Sequence, residues 1–84
     1  MHYVYVLTNN EGGIYVGCTG DLKKRLTQHT GGRVKTTGGK KWTLAYYEAY
    51  RAESDAWQRE QRLKDHGQAK RQLKDRIVAS LQTS

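Results

Sequence analysis

The sequence predicts an α+β fold, a three-stranded antiparallel β-sheet flanked by α-helices in the order ββαβαα. Three observations carry that prediction. Two short runs, His2-Tyr3-Val4-Tyr5-Val6-Leu7 and Gly13-Ile14-Tyr15-Val16-Gly17, are built from β-branched and aromatic residues and stand either side of a turn cluster. A third run of the same character spans Trp42 to Tyr50. The last quarter of the chain changes period, with Ala69, Leu73, Ile77 and Leu81 recurring every four residues as the apolar stripe of a helix.

Each element has its own local reason. In the first strand Tyr3, Tyr5 and Leu7 alternate with Val4 and Val6, so successive side chains face opposite sides of a sheet. Thr8-Asn9-Asn10-Glu11-Gly12-Gly13 reads as a turn, which makes Ile14-Tyr15-Val16 pair back antiparallel as a hairpin. Gly17 and Gly20 then free the backbone to leave the sheet, and Thr19-Gly20-Asp21 supplies N-cap chemistry for a helix over residues 21–30, closed by Gly31-Gly32. On that helix Leu22 and Leu26 form the apolar stripe, and Arg25 and His29 form a second row about 60° around the axis. The third strand, Trp42 to Tyr50, puts Trp42, Leu44 and Tyr46 on one face and Ala45, Tyr47 and Ala49 on the other, both covered. A helix over Glu53–Asp65 starts at Glu53 or Ser54, stops at Gly67, and turns Ala56, Trp57, Glu60 and Leu63 inward. The final helix runs over 68–81.

Eighty-four residues accommodate one domain, 1–84, with a small core. A single cysteine excludes an internal disulfide framework, and Cys18 reads as a small buried hydrophobe in a reducing, cytoplasmic setting. No apolar run suits a signal peptide or a membrane span. The net charge of +7 is segregated: residues 20–42 hold Lys23, Lys24, Arg25, Arg33, Lys35, Lys40 and Lys41 against Asp21 alone. Such a face suits a polyanion, and the loop over 31–41 suits backbone phosphate contacts. That loop lacks the spacing of a nucleotide-cradling P-loop, so no small-molecule cofactor is expected.

The hairpin and the helix after it bring two phenols, a guanidinium and an imidazole into one neighbourhood. Arg25 and His29, four residues apart, share a helix face. A phenol can pass on a proton, an arginine can hold phosphate through its planar fork, and a histidine can relay a proton. These residues resemble the GIY-YIG nucleases. Val4-Tyr5 looks like the end of the first motif, with Tyr3 where Gly is usual, and Tyr15-Val16-Gly17 looks like the second, with Val for Ile. Arg25 lies ten residues past Tyr15, His29 four further on, and Glu60 sits on a later helix.

The resemblance implies a metal-dependent DNA endonuclease of the small standalone type. Its catalytic residues would be Tyr5, Tyr15, Arg25, His29 and Glu60, with Tyr15 or Tyr5 as general base and His29 orienting Tyr5 or binding phosphate. Lys23, Lys24, Arg33, Lys35, Lys40 and Lys41 would bind the nucleic acid. A carboxylate in an apolar stripe needs a partner, and for Glu60 the residues leave two: a structural ion pair with an arginine, or a cation. The resemblance favours metal, and one carboxylate with water and phosphate oxygens suits Mg²⁺, with Mn²⁺ as its substitute. His2, His29, His66 and Cys18 lack zinc-ligand spacing. The asparagine that several family members carry after the metal glutamate has no counterpart, because Asn9 and Asn10 are the only asparagines. DNA is the expected partner, cut with structure selectivity or weak sequence specificity, and a protein partner could supply the selectivity. The rival reading is a non-catalytic nucleic-acid-binding module on the same scaffold.

Overall fold

The computed structural model describes residues 1–9, 11–30 and 41–82. Its elements are β1 (His2–Asn9), β2 (Ile14–Thr19), α1 (Leu22–Thr30), β3 (Trp42–Tyr50), α2 (Glu53–Asp65), α3 (Gly67–Arg76) and α4 (Val78–Gln82). The three strands form one antiparallel sheet in the order β2-β1-β3, the α+β arrangement expected from the sequence. The hairpin turn is held by Asn9, whose Oδ1 accepts the backbone N–H groups of Glu11 at 2.9 Å and Gly13 at 2.7 Å. Gly12 sits at φ +81°, a conformation that a side chain would resist.

Being central, β1 is covered on both faces, which is why Val4, Tyr5, Val6 and Leu7 are all buried in succession. Its even positions, Val4 and Val6, join Val16 of β2 and Ala56, Leu63, Leu73 and Ile77 of the C-terminal helical region in the main core. Burying each such side chain contributes about 1.5–3 kcal/mol before the entropy of ordering is charged against it. Its odd positions, Tyr3, Tyr5 and Leu7, face the side on which α1 lies.

The face assignment of β3 differs from the simple alternation. Val6 pairs with Tyr46 but Leu7 pairs with Leu44, so Ala45 is the extra residue of a β-bulge. Trp42 and Leu44 therefore share a face with Tyr5 and Tyr47, and Tyr46 moves to the opposite face with Glu48 and Tyr50. Tyr46 and Tyr50 pack against the main core, and Tyr47 is largely exposed instead of covered.

The helix ends also carry corrections. Asp21 caps α1 as expected, its Oδ1 accepting the Lys24 N–H at 3.0 Å. In α2 the N-cap is Ala52, with no side-chain cap, and Glu53 and Asp55 occupy the first turn, where their charge complements the positive end of the helix dipole. Gly67 does not stop α2: the chain turns at His66, in an extended conformation, and Gly67 opens α3. The expected single helix over 68–81 is broken at Ile77 (φ −114°, ψ 30°). A four-residue repeat advances about 400° around a helix, so its stripe drifts about 40° per step and a straight helix could not keep Ala69 and Leu81 on one face. The break at buried Ile77 re-aims Leu81 onto the core.

Candidate active site

Tyr5 is the centre of the second cluster. It is fully buried on the α1 side of the sheet, and its position depends on Gly17, the residue paired with it across the β1–β2 ladder. A Cβ at Gly17 would lie 2.4 Å from both Cζ and Oη of Tyr5. The glycine thus serves the close approach of a ring, inside the strand, and does not act as the exit from the sheet that the sequence suggested.

From α1, His29 Nε2 lies 2.9 Å from the Tyr5 hydroxyl, and the Arg25 Nε–H donates to the same oxygen at 3.4 Å. With Tyr5 Oη accepting from Arg25, its own proton can go to His29 Nε2 where the imidazole is neutral and accepting. The direction of its pKa agrees: burial lowers it, and the Arg25 charge lowers it further. Burial raises the Tyr5 pKa, opposed by the hydrogen bond from Arg25, and the Tyr15 and Glu60 charges add to the rise. The Arg25 pKa is raised, first by its bond to Tyr5 and in smaller part by Tyr15, against the opposing effect of burial. At its far end the Arg25 Nη1–H donates to Gln28 Oε1 at 3.0 Å, which fixes the plane of the fork. Gln28 was not singled out from sequence, and its spacing of three from Arg25 is the signal for it.

Tyr15 enters from β2. Its ring centroid lies 4.9 Å from that of His29, 6.3 Å from Tyr5 and 6.3 Å from Trp42. It is half-buried, so of the two phenols it is the one that solvent reaches. Among the described side chains of α1, His29 is the deepest at 2% exposure, whereas Leu22, Arg25 and Leu26 are half-buried, so a polar residue lies further inside than the apolar stripe.

Glu60 approaches from the opposite side of the sheet. On α2 it flanks the buried pair Ala56 and Leu63, and its side chain is 13% exposed. Its partner is Lys64 Nζ at 3.1 Å, one turn on, instead of an arginine. The Glu60 charge is felt by Tyr5 and, after burial, is the largest influence raising the Cys18 thiol pKa. Trp57 points outward at 57% exposure, contrary to its expected inward place. Among the described residues no group of three or more His, Cys, Asp and Glu side chains could hold a metal. Among the described residues Glu60 pairs with Lys64, and a lone hard carboxylate of this kind fits a cation that keeps most of its water, as Mg²⁺ does.

The arginine ion pair considered for Glu60 occurs elsewhere. Arg59, on the other flank of the same helical stripe, donates from Nε to Glu48 Oε1 at 3.0 Å and from Nη2 to Oε2 at 3.1 Å. Tyr46 donates to the same carboxylate at 2.6 Å and Tyr50 closes the group. Burial alone would raise the Glu48 pKa, but these donors outweigh it and hold the pKa low. Burial and the Glu48 hydrogen bond push Tyr50 up to about 12. The period-two spacing of Tyr46, Glu48 and Tyr50 was the available signal, hidden by the bulge. Of the expected nucleic-acid contacts, Lys23, Lys24 and Lys41 are exposed, and Arg33, Lys35 and Lys40 lie outside the described residues.

The hydrogen-bonded Tyr5–His29–Arg25 cluster thus lies on one face of the sheet. The chain belongs to the GIY-YIG family: the GIY-YIG catalytic domain matches residues 1–74. Relatives include a UPF0213 protein of Halobacterium salinarum, 34% identical over 74 residues, covering 86% of this chain and 96% of that one. A UPF0213 protein of Bacillus pumilus is 37% identical over 79 residues, covering 86% and 76%. One of Natronomonas pharaonis is 36% identical over 80 residues, covering 93% and 91%. No solved structure matches the chain. Among the described residues no helix is long and apolar enough to cross a membrane.

Proposed function

We propose that the protein is an Mg²⁺-dependent DNA endonuclease, acting inside the cell as one domain, that hydrolyses phosphodiester bonds with structure selectivity or weak sequence specificity. The observation that carries this reading is the Arg25–Tyr5–His29 hydrogen-bonded chain beside solvent-accessible Tyr15. Arg25 grips a non-bridging phosphate oxygen with the part of its fork not engaged by Tyr5 and Gln28, and stabilises the charge that develops there. Tyr15, open to solvent, relays the proton of the attacking water: its oxygen takes that proton as its own phenolic proton leaves to solvent. Tyr5, sealed by burial, is a positioning group: it holds Arg25 and His29 in register, and His29 buffers protons for the cluster. Glu60 would hold Mg²⁺, which when bound supplies Lewis-acid stabilisation of the leaving oxygen. Lys64, 3.1 Å away, is the counter-charge that the ion would replace. Lys23, Lys24 and Lys41, with Arg33, Lys35 and Lys40 of the loop, line up the phosphate backbone, and a protein partner can narrow the choice of substrate.

The test is incubation with labelled duplex, nicked, flap, branched and single-stranded DNAs, with and without Mg²⁺. Cleavage of at least one form that requires the ion and is lost in Arg25→Ala supports the reading. Tight binding with no cleavage of any form leaves a binding module in its place.

A further inference from the structure

One face of α1 meets the sheet to make a groove that the Arg25–Tyr5–His29 chemistry does not use. It encloses about 440 Å³ and is lined by Tyr3, Tyr47, Leu22 and Leu26, with Lys23 and Asp21 at its rim. Tyr3 and Tyr47 pack edge to face, 6.0 Å between centroids at 64°, so each ring fixes the tilt of the other. Tyr47 is nevertheless 52% exposed. A preset aromatic pair, backed by two leucines and left open, is apolar surface awaiting an occupant.

Its place in the fold says which occupant. Tyr47 pairs with Tyr5 across the β1–β3 ladder, and Tyr3 is two residues from Tyr5 on the same face, about 7 Å along the strand. Leu22 precedes Arg25 by one helical turn. The groove therefore adjoins the proposed phosphate site at roughly the spacing of neighbouring nucleotides in an extended strand, and Lys23 and Lys24 are exposed on the same helix. Duplex bases are stacked on one another and cannot enter a concavity, whereas an unpaired base offers a free π-face.

We propose that the Tyr3/Tyr47 groove binds an unstacked nucleobase next to the scissile phosphate, which makes DNA with unpaired nucleotides at a junction the substrate class. This rests on the DNA reading above and supplies the selectivity it leaves open. A volume of 440 Å³ accommodates a base and its sugar, within the range of small-molecule sites.

The experiment measures binding in the absence of Mg²⁺ to three probes: a flap duplex, the same flap with abasic sites at its unpaired nucleotides, and plain duplex. The protein should bind the base-bearing flap about 5- to 100-fold tighter than the abasic one. Tyr47→Ala should abolish that preference and leave duplex and abasic affinity unchanged, Tyr47→Phe should keep it, and Lys23→Ala should weaken all three alike. A parent that binds both flaps equally, or a Tyr47→Ala protein weakened equally on all probes, overturns the site. Because no metal is present, the outcome is separate from hydrolysis. A base preference without cleavage under Mg²⁺ sustains the groove and sinks the nuclease, and cleavage with no effect of Tyr47→Ala does the reverse.

Discussion

Gly17→Ala is the sharpest probe of how the site is held. The new Cβ would lie 2.4 Å from Tyr5 Cζ and Oη and 2.9 Å from Cε1. Carbon atoms prefer about 3.5–4.0 Å, so the ring must retreat by about 1 Å or more. Tyr5 has no exposed surface and is tied to His29 at 2.9 Å, so it cannot retreat without straining the core or losing that bond. Overpacking costs about 1–3 kcal/mol and a lost hydrogen bond about 1 kcal/mol net, together about 2–4 kcal/mol. At about 4–8 °C per kcal/mol for a domain of this size, the melting temperature followed by circular dichroism should fall by about 8–32 °C. Cleavage should fall with it. Tyr5→Leu deletes the three clashing atoms, so in that background Gly17→Ala should cost at least about 1 kcal/mol less. A Gly17→Ala protein within about 0.5 kcal/mol of the parent, or an equal penalty in both backgrounds, would refute the seat and return Gly17 to a role in backbone freedom.

Four further outcomes are expected. Glu60→Gln removes only a helix-surface pair with Lys64, worth about 0.3–0.5 kcal/mol, so melts should barely move while Mg²⁺-dependent cleavage collapses; a loss above about 2 kcal/mol would mark Glu60 as structural. Arg25→Lys keeps the charge but loses the fork and the Nε donor to Tyr5, and should cost about 10² to 10³ in rate with the fold intact, so near-parental cleavage would remove Arg25 from the chemistry. Glu48→Ala strands Arg59 and should cost about 3 kcal/mol by denaturant titration, against under about 0.5 kcal/mol for Lys64→Ala. The Glu48 pKa is lowered in the fold, so its stabilisation is present above the unfolded carboxylate value of 4.5 and is lost as pH falls through the folded one; Glu48→Gln should therefore melt with a shallower acid dependence than the parent below pH 4.5.

The pattern of what the sequence disclosed follows from the range of each interaction. The hairpin and the α1 cap depend on neighbours in the chain, and alternation with Asn9, Gly12 and Asp21 sufficed to place them. The bulge at Ala45 carries no glycine or proline, and only pairing with β1 reveals it, so Tyr46 and Tyr47 exchanged faces relative to the simple alternation. Trp57 lies about 100° around the helix from Ala56, and its apolar character suggested an inward place that geometry denies. The break at Ile77 was implicit in a repeat of four on a helix of 3.6. Gly17 was visible as a motif residue, yet its contact with Tyr5 joins residues on different strands.

The two flanks of the α2 stripe give Arg59 and Glu60 different surroundings. Arg59 and Glu60 are adjacent in sequence and about 100° apart, with Ala56 and Leu63 between their directions. Arg59 is drawn toward β3 by a carboxylate that also holds two phenols, and Glu60 is left on the β2 side, where its charge reaches Cys18 and Tyr5. Rotation of α2 by even a fraction of a turn would break a two-pronged hydrogen bond, so the Glu48–Arg59 pair sets the angle at which Glu60 emerges. The proposed function thereby divides stability and chemistry between two carboxylates. The one gripped by Arg59, Tyr46 and Tyr50 fixes the helix, and the one paired with a single exposed lysine remains exchangeable, as the cation-holding role proposed for Glu60 requires.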